Sequence, residues 1–464
     1  MNTYEIKTIL SESLSNVDGK VRGWIRSVRK SKKFSFIHLN DGSCQQNFQI
    51  IIDADLENYE EVKSLLTGSS VEIEGRLVTS GGKGQSIEMQ GKKVTIFSKT
   101  DESYPLQKKA TSLEFLRENA HIRGRTNLYG AIFRIRHVMS LATHQFFDQK
   151  GFYYLHTPIL TGVDAEGAGE MFNVTTLNLE GLSRSGKAPD YSQDFFGKQA
   201  SLCVTGQLEA ECYALSLGKV YTFGPTFRAE NSNTPRHLSE FWMIEPEVAF
   251  ADLDDVAELA TDYVQYLIKS VLERCEAELD FLMKRPGADI DEGHLETLKN
   301  VSECEFKKIT YTEAIDILNN SEKKFEFPTT WGSELQTEHE RFLATEHFKS
   351  PVIVTDYPKD FKAFYMKQND DGKTVRAMDV LVPGMGELIG GSQREDDLEK
   401  LTKRMDEMGM HKEPLWWYLD LRKHGSVKHA GFGLGFERAI CYITGMKNLR
   451  DVIPFPRTPK SLDF

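Results

Sequence analysis

The chain of 464 residues lacks any apolar run long enough to cross a membrane as a helix. Such a helix needs about 18 or more consecutive, mostly apolar residues. The first ten residues, MNTYEIKTIL, contain neither an apolar core nor a cleavage site, so we expect no signal peptide. We therefore expect a cytoplasmic protein that has no membrane partner.

Cysteine is also scarce, and its spacing excludes two common uses. No two cysteines form a C-x-x-C pair, which disfavours a zinc site, and the scatter gives no sign of a disulfide framework. Reduced thiols are the expected state in a cytoplasm. The six cysteines are Cys44, Cys203, Cys212, Cys275, Cys304 and Cys441.

Positive charge is scarce, because the chain has 57 Lys and Arg but 69 Asp and Glu, which gives a net charge of −12. This balance argues against indiscriminate binding of nucleic acid. Residues 20–33 are the exception, since they hold seven basic residues and no acid. They indicate either a specific polyanion partner or a solvated, charged hairpin. The seven are Lys20, Arg22, Arg26, Arg29, Lys30, Lys32 and Lys33.

From residue 19 to about 98 the pattern alternates between apolar and polar residues in five runs, with a helical segment at 57–66 after the third. This order fits a five-stranded OB-fold barrel, which binds single-stranded nucleic acid on aromatic side chains beside a basic groove. We expect Trp24 in the barrel core. Phe34 and Phe36 share one face, and the sequence does not decide whether that face is core or surface.

A predicted hairpin over residues 220–250 has one face that is too polar for a core and too apolar for plain surface. An exposed sheet face with salt bridges is possible, but it explains Phe241 and the loop arginine poorly. The residues concerned are Arg228 and Glu230 on the first arm, Arg236 and His237 in the loop, and Phe241 and Glu245 on the return arm.

A glycine-lined strand runs into a helix over residues 427–445. Gly431, Gly433 and Gly435 alternate with apolar residues, and Arg438 falls in the first helical turn. Glycine lets a ligand lie close to the backbone, and an arginine near a helix N-terminus can hold a phosphate. A tightly packed corner with a surface arginine is the alternative.

Two acidic residues, Asp379 and Glu387, flank a predicted turn between strands. Near a phosphate they would suit Mg²⁺, which takes few protein ligands and shares phosphate oxygens. A pair of surface acids fits the spacing equally well. Residues 283–350 show no recognisable chemistry, and we interpret them as a peripheral insertion.

Three segments resemble the motifs of class II aminoacyl-tRNA synthetases and occur in the family's order. GFYYLHTPIL after a long helix resembles motif 1, TFRAE with its loop and return strand resembles motif 2, and GFGLGFERA resembles motif 3. The order of an N-terminal barrel followed by these motifs resembles that of the subgroup that charges aspartate, asparagine and lysine.

Within that subgroup, HIRGRTN, GQLEAE and NLRDVIPFPRTP resemble the asparagine-charging branch. The aspartate enzymes, some of which charge both tRNAs, are the alternative. They usually carry a lysine at the position of Ala210 and a Phe-Pro-Lys segment where this chain has Pro456-Arg457. An amidating ligase would generally lack the barrel, and an inactive RNA-binding relative would be expected to lose Arg228 or Arg438.

The resemblance implies an α+β protein. It implies an OB-fold anticodon-binding domain over residues 1–100, a hinge over 101–125 and a catalytic domain over 126–464, built on an antiparallel sheet flanked by helices. It also implies a homodimer through motif 1. The expected reaction joins L-asparagine to ATP as an adenylate, with Mg²⁺, and then transfers the asparaginyl group to tRNA(Asn).

The resemblance further implies a role for each candidate site residue. Arg228 and Arg438 would be catalytic, and Arg394 with Glu245 would recognise the side-chain amide. A carboxylate at 245 would also repel aspartate. ATP is assigned to Arg228, Glu230, Arg236, His237, Phe241, Gly435 and Arg438; asparagine to Glu166, Gln207, Glu245 and Arg394; Mg²⁺ to Asp379 and Glu387; and anticodon bases to Arg29, Phe36 and Gln49.

Overall fold

The computed structural model describes residues 1–31, 33–82, 84–106, 111–165, 171–285 and 287–464. The chain divides into two compact units, Met1–Phe133 with Phe464, and Arg134–Asp463. This division falls inside a helix rather than in the predicted hinge at 101–125. The hinge region itself carries two short helices. Among the described residues, no helix combines the length and apolar character that a membrane span requires.

The first unit is a closed barrel, as the alternating pattern predicts. Strands β2, β3, β4, β6 and β5 pair in that order, and β5 returns to pair with β2. The helix after the third run is present as α2. The elements are β1 (Asn2–Thr3), α1 (Ile6–Ser11), β2 (Val17–Lys30), β3 (Phe34–Asn40), β4 (Phe48–Asp53), α2 (Tyr59–Ser64), β5 (Ser70–Thr79), β6 (Ile87–Ser98), α3 (Leu113–Glu118) and α4 (Ala120–Arg123).

Side-chain parity decides which barrel residues are core. Val21 and Ile25 on β2 are fully buried, so Trp24, at the opposite parity, points outward and is 39% exposed. The expectation that Trp24 is core is therefore wrong. Phe34 and Phe36 also lie on the outer face, half-buried, with their ring centroids 5.1 Å apart.

The second unit is built on an eight-stranded sheet in the order β13-β14-β15-β16-β17-β12-β11-β7. The six central strands are antiparallel, and only the two edge pairs, β13–β14 and β7–β11, are parallel within the described residues. The predicted antiparallel sheet is confirmed. The unit's strands are β7 (Tyr153–Tyr154), β8 (Leu160–Thr161), β9 (Asn173–Val174), β10 (Ala200–Leu202), β11 (Lys219–Phe227), β12 (Glu240–Ala249), β13 (Lys307–Thr310), β14 (Val352–Pro358), β15 (Thr374–Val382), β16 (Gly386–Gln393) and β17 (His429–Gly435).

Helices cover this sheet and fix the strands that carry the site. The predicted helix over 252–282 is two helices, because the backbone leaves the helical region at Cys275. Its first part packs on β15, β16 and β17. The helices are α5 (Asn127–Gln149), α6 (Leu179–Ser185), α7 (Gln207–Leu217), α8 (Leu253–Arg274), α9 (Glu276–Lys284), α10 (His294–Val301), α11 (Tyr311–Asn319), α12 (Thr337–Arg341), α13 (Leu398–Glu407), α14 (Trp416–Asp420) and α15 (Phe436–Thr444).

The interpretation of residues 283–350 as a peripheral insertion needs correction. Strand β13 extends the main sheet, and Tyr311 and Leu343 are fully buried in a core cluster with Val354 of β14. Glu340 of α12 accepts a hydrogen bond from the backbone amide of Glu387 at 3.0 Å. This segment therefore supports the sheet and reaches the predicted metal residues.

Candidate functional site

The hairpin of β11 and β12 brings four of the predicted residues together. Arg228 follows the last residue of β11, and its guanidinium carbon lies 5.5 Å from the centre of the Phe241 ring. The Glu230 carboxylate lies 3.5 Å from His237 Nε2 and 4.0 Å from Arg228 Nη1. A flat ring and an anion could therefore be held side by side.

Three arginines converge beside this hairpin around a cavity of about 90 Å³. Arg236 donates to Thr337 Oγ1 at 2.5 Å, and Arg438 pairs with Glu387 at 3.1 Å. Burial lowers the pKa of the Arg236 guanidinium, and the nearby cations of Arg438 and Arg341 lower it further. Crowded guanidinium groups of this kind would be stabilised by a polyanion.

Asp379 and Glu387 lie on neighbouring strands and face one position of β16. A Cβ atom placed on Gly390 would stand 3.2 Å from Glu387 Oε1 and 3.5 Å from Asp379 Oδ1. Burial raises the pKa of Asp379, against the lowering effect of Lys362, whose ammonium lies 3.2 Å away. Burial, together with the charges of Glu387 and Asp379, raises the pKa of Glu340 to about 7.

These crowded carboxylates fit a divalent cation. Among the described residues, no group of three or more His, Cys, Asp or Glu side chains is arranged to hold a metal ion by itself. A Mg²⁺ ion would thus depend on outside oxygens, as it does when it binds with a nucleotide phosphate. Asp379 and Glu387 would be its protein ligands.

Arg394 and Glu247 form a buried ion pair, which we call the floor of the candidate site. Arg394, just beyond β16, binds Glu247 of β12 through two nitrogens, Nη2 to Oε1 at 2.5 Å and Nε to Oε2 at 3.2 Å. The two side chains are 3% and 0% exposed. Arg394 also donates from Nη1 to Ser392 Oγ at 2.7 Å. This pairing fixes the guanidinium in one orientation.

A second buried carboxylate, Glu211 of α7, extends the floor. It accepts hydrogen bonds from Arg422 and Tyr418, each at 2.8 Å, and lies 2.9 Å from His429 Nε2. Burial alone would raise the pKa of Glu211, but Arg422 and then His429 hold that pKa well below its usual range. Gln207 joins the network by donating to Glu211 at 3.1 Å.

Glu245 is held separately from Arg394. Its carboxylate accepts hydrogen bonds from the Thr205 hydroxyl, from the Gly206 backbone amide at 3.0 Å and from the Thr222 hydroxyl at 3.0 Å. Glu245 and Glu247 share one face of β12 with Phe241, since the strand repeats every two residues.

The barrel brings its three candidate residues to one outer face. Arg29 of β2 stands opposite Phe36 of β3, and Gln49 of β4 stands opposite His38 of β3. Arg29 is exposed, whereas Phe36 and Gln49 are half-buried, and Gln49 donates to Glu88 at 2.9 Å. Lys32 of the basic segment lies outside the described residues.

Comparisons with known proteins point to one family. A family described as tRNA synthetases class II (D, K and N) matches residues 112–459, and one described as an OB-fold nucleic acid binding domain matches residues 20–97. The chain belongs to the class II tRNA synthetases. The asparagine–tRNA ligase of Alkaliphilus oremlandii is 55% identical over 96% of this synthetase and 95% of its own length.

Other relatives match along the whole synthetase. The asparagine–tRNA ligase of Cytophaga hutchinsonii is 54% identical over 100% of both chains. The crystal structure of asparaginyl-tRNA synthetase from Pyrococcus horikoshii, complexed with asparaginyl-adenylate, is 33% identical, covers 99% of both chains and superposes with a TM-score of 0.86.

Several residues of the candidate site were not predicted from the sequence. Glu247 has the parity of Glu245 and could have been found from that signal, whereas Glu211 and Arg422 reach the floor from distant segments. Arg341 lies in the segment interpreted as peripheral. Glu166, predicted to bind the amino acid, lies outside the described residues.

One of the three glycines of β17, Gly431, has a packing reason that does not involve a nucleotide. A Cβ atom on Gly431 would stand 2.4 Å from the carboxylate of Glu247 and 2.4 Å from the backbone oxygen of Pro246. A Cβ atom on Gly433 would meet the flexible end of Met243 at 2.9 Å and the Gly390 backbone oxygen at 4.0 Å, and one on Gly435 would meet nothing closer than 3.7 Å. Gly431 is therefore required by packing against both Glu247 and the backbone of Pro246, and nucleotide approach stays a prediction for Gly433 and Gly435.

Proposed function

We propose that this synthetase is an asparagine–tRNA ligase. It activates L-asparagine with ATP to asparaginyl-adenylate and pyrophosphate, then transfers the asparaginyl group to the 3′ end of tRNA(Asn). The observation that carries the proposal is the polar face of β12, which runs from Phe241 to the Arg394–Glu247 pair. Six residues of strand span about 20 Å, enough to hold an aminoacyl-adenylate lengthwise.

The nucleotide end of this face lies at Phe241. Its ring would stack on adenine, and Arg228 beside it would hold the α-phosphate, where negative charge develops during attack by the asparagine carboxylate. Arg438, Arg236 and His237 would bind the outer phosphates. Mg²⁺, held by Asp379 and Glu387, would supply further neutralisation of phosphate charge. Positioning and charge neutralisation are what adenylate formation demands.

The amino-acid end lies over the buried floor. Glu245 offers an acceptor for the amide nitrogen of asparagine, and Arg394 offers a donor for the amide oxygen. Gln207, anchored on Glu211, and Glu166 would bind the backbone groups of the substrate. A site with fixed donors and acceptors discriminates against a mismatched substrate by about 10⁴-fold or more, so editing is not required.

The outer face of the barrel would bind the tRNA substrate. Phe36 offers a stacking surface for an anticodon base, Arg29 offers a charge for the backbone and Gln49 offers an amide for a base edge. Tyr153, 59% exposed, and Leu160, 43% exposed, lie in the motif 1 segment and support a homodimer through that segment. We also propose a cytoplasmic location, with which the reaction's substrates are consistent.

Exchange of pyrophosphate into ATP, measured with each of the twenty amino acids, tests this function. We expect exchange with asparagine, and much weaker exchange with aspartate. Charging of tRNA(Asn) and tRNA(Asp) side by side separates the proposal from a ligase that charges both. Exchange that depends on aspartate instead, or on no amino acid, would overturn the proposal.

A further inference from the structure

The segment that begins with α12 reaches the phosphate side of the site, although it belongs to none of the three motifs. Directly after α12, residues Phe342–His347 form a π-helix, an uncommon backbone form that often occurs at functional sites. The first three of these residues are buried in the core cluster that includes Val354 of β14. The segment is therefore anchored in the core, which holds the polar side chains of α12 in place beside the sheet.

Side chains of this segment bind the turn between β15 and β16. Arg341 donates to the carbonyl oxygen of Gly384 from Nε at 3.0 Å and from Nη2 at 2.5 Å. Thr345 Oγ1 accepts a hydrogen bond from the amide of Gly384 at 2.9 Å. Glu340 Oε2 accepts one from the amide of Glu387 at 3.0 Å. Three side chains thus restrict the backbone of a turn that contains two glycines.

Gly386 shows how closely Glu340 fits against this turn. A Cβ atom on Gly386 would stand 2.6 Å from Glu340 Oε2 and 3.2 Å from the Glu340 Cβ atom. Gly386 also has a φ of +97°, which residues other than glycine rarely adopt. The turn can therefore pass this close to the carboxylate only with glycine at 386, and the start of β16 is fitted against Glu340.

The groups assigned to the outer phosphates of ATP are in contact with this segment. The side chain of Glu387, a proposed Mg²⁺ ligand, pairs with Arg438 at 3.1 Å. Arg236, on the hairpin loop, donates to Thr337 Oγ1 at the start of α12 at 2.5 Å. One segment therefore contacts both the strand that carries a proposed metal ligand and the loop that carries a proposed phosphate-binding arginine.

We propose that residues 337–345 position the groups that bind the outer phosphates of ATP. Glu340 is the main positioning residue, because its hydrogen bond to the Glu387 amide sets the place of the Glu387–Arg438 pair. Arg341 and Thr345 hold the turn that precedes Glu387. The inference rests on the proposed function and deepens it. Since the contact of Glu340 requires only a hydrogen-bond acceptor, a neutral amide at this position would also serve.

Two substitutions of Glu340 separate this contact from the charge of the carboxylate. Glu340→Gln keeps an oxygen that can accept from the Glu387 amide but removes the charge, whereas Glu340→Ala removes both. Pyrophosphate exchange is measured for both variants while ATP, Mg²⁺ and asparagine are varied in turn. AMP, which lacks the outer phosphates, is added as a competing ligand.

For Glu340→Ala we expect the KM for ATP and the Mg²⁺ concentration for half-maximal exchange to rise about tenfold, because a hydrogen bond to a charged acceptor is lost. The KM for asparagine and the inhibition constant of AMP should stay within about twofold of the wild type, because neither ligand reaches the outer-phosphate groups. Glu340→Gln should stay within about threefold in all four quantities, since the acceptor remains.

Three results would overturn the proposal. The first is an equal change for ATP and for AMP or asparagine, and the second is a lower exchange rate with all four quantities unchanged. Both would show that Glu340 only supports the fold. The third is a Glu340→Gln variant as impaired as Glu340→Ala, which would show that Glu340 acts through its charge, as a metal ligand does.

Thr345→Val keeps the test decisive if Glu340→Ala does not fold. It removes the hydrogen bond to the Gly384 amide, retains the side-chain volume and changes no charge. The KM for ATP should rise about threefold and the KM for asparagine should not change, because the turn is held less firmly. An unchanged KM for ATP in this variant would contradict the positioning role of the segment.

Glu338→Ala is the matched control. Glu338 lies on the same helix and accepts a backbone hydrogen bond of the same kind, from the Phe327 amide at 2.8 Å rather than from the β15–β16 turn. This variant should leave all four quantities unchanged, and circular dichroism with thermal unfolding checks the fold of each variant. A wild-type protein that activates another amino acid instead of asparagine would refute the proposed function, while the constants for ATP, measured with that amino acid, would still test α12.

Discussion

The outer face of the barrel and the Arg394–Glu247 end of the polar face of the sheet use charge in opposite ways. On the barrel, Arg29 is exposed and Phe36 is half-buried, so both remain in contact with water until a partner arrives. On the sheet, Arg394 and Glu247 are buried and bound to each other. This difference matches the kind of ligand that each face is proposed to bind. A large polyanion supplies its own charges and rings, whereas a small neutral side chain needs donors and acceptors fixed beforehand.

The largest expected effect is on the sheet, at Arg228. Arg228→Ala should lower adenylate formation on the order of 10³-fold, because it removes a fixed donor aimed at the charge of the transition state. Pyrophosphate exchange with asparagine measures the loss, and circular dichroism checks the fold. Arg184→Ala, which removes an exposed arginine paired with Glu180 on α6, is the matched control. Near-normal exchange by Arg228→Ala would remove Arg228 from the phosphate site.

A smaller loss is expected at the acidic pair. Asp379→Asn should reduce exchange on the order of 10²-fold at low Mg²⁺ and shift half-maximal activity to higher Mg²⁺, because one ligand charge is lost. A Mg²⁺ titration of the exchange rate measures both changes. Asp280→Asn, at a carboxylate paired with Lys284 on α9, should titrate like the wild type. A normal Mg²⁺ dependence of Asp379→Asn would contradict the assignment.

Much of the fold was predictable because it follows from local patterns. Alternation of apolar and polar residues gave the five barrel strands, and the hairpin of β11 and β12 was readable for the same reason. Strand β13 was missed because it has four residues and pairs in parallel with β14, more than forty residues along the chain. Trp24 was misplaced because an aromatic residue was expected to be core, although its parity opposes that of Val21 and Ile25.

The site was predictable in composition and less so in pairing. Glu245 and Glu247 have the same parity on β12, so the sequence alone does not decide which of the two forms an ion pair with Arg394. The choice is made by neighbours from other elements. Thr205 and Thr222 bind Glu245, while Gly431 opens the space for Glu247. Contacts of this kind join residues that lie far apart in the chain, which no local pattern reports.

On the barrel the expected losses are smaller and confined to the tRNA step. Phe36→Ala should raise the KM for tRNA(Asn) about tenfold and leave pyrophosphate exchange unchanged, because stacking of one base contributes about 1–3 kcal/mol. Phe97→Ala is the control, since Phe97 is 57% exposed on β6 of the same barrel. Equal loss of exchange and of charging would show that Phe36 is structural and would weaken the contrast between the two faces.

The smallest expected effect is at Arg29, and it separates charge from stacking on the barrel. Arg29→Ala should weaken tRNA binding about threefold near physiological salt, because one exposed charge is partly screened there. The slope of binding against salt concentration should also become shallower by about one ion, which Phe36→Ala should not cause. Lys92→Ala removes a basic side chain that is 63% exposed and paired with Asp18, so it should leave the slope unchanged. An unaltered slope for Arg29→Ala would mean that Arg29 does not contact the phosphate backbone. The barrel face would then bind tRNA through its aromatic and amide groups.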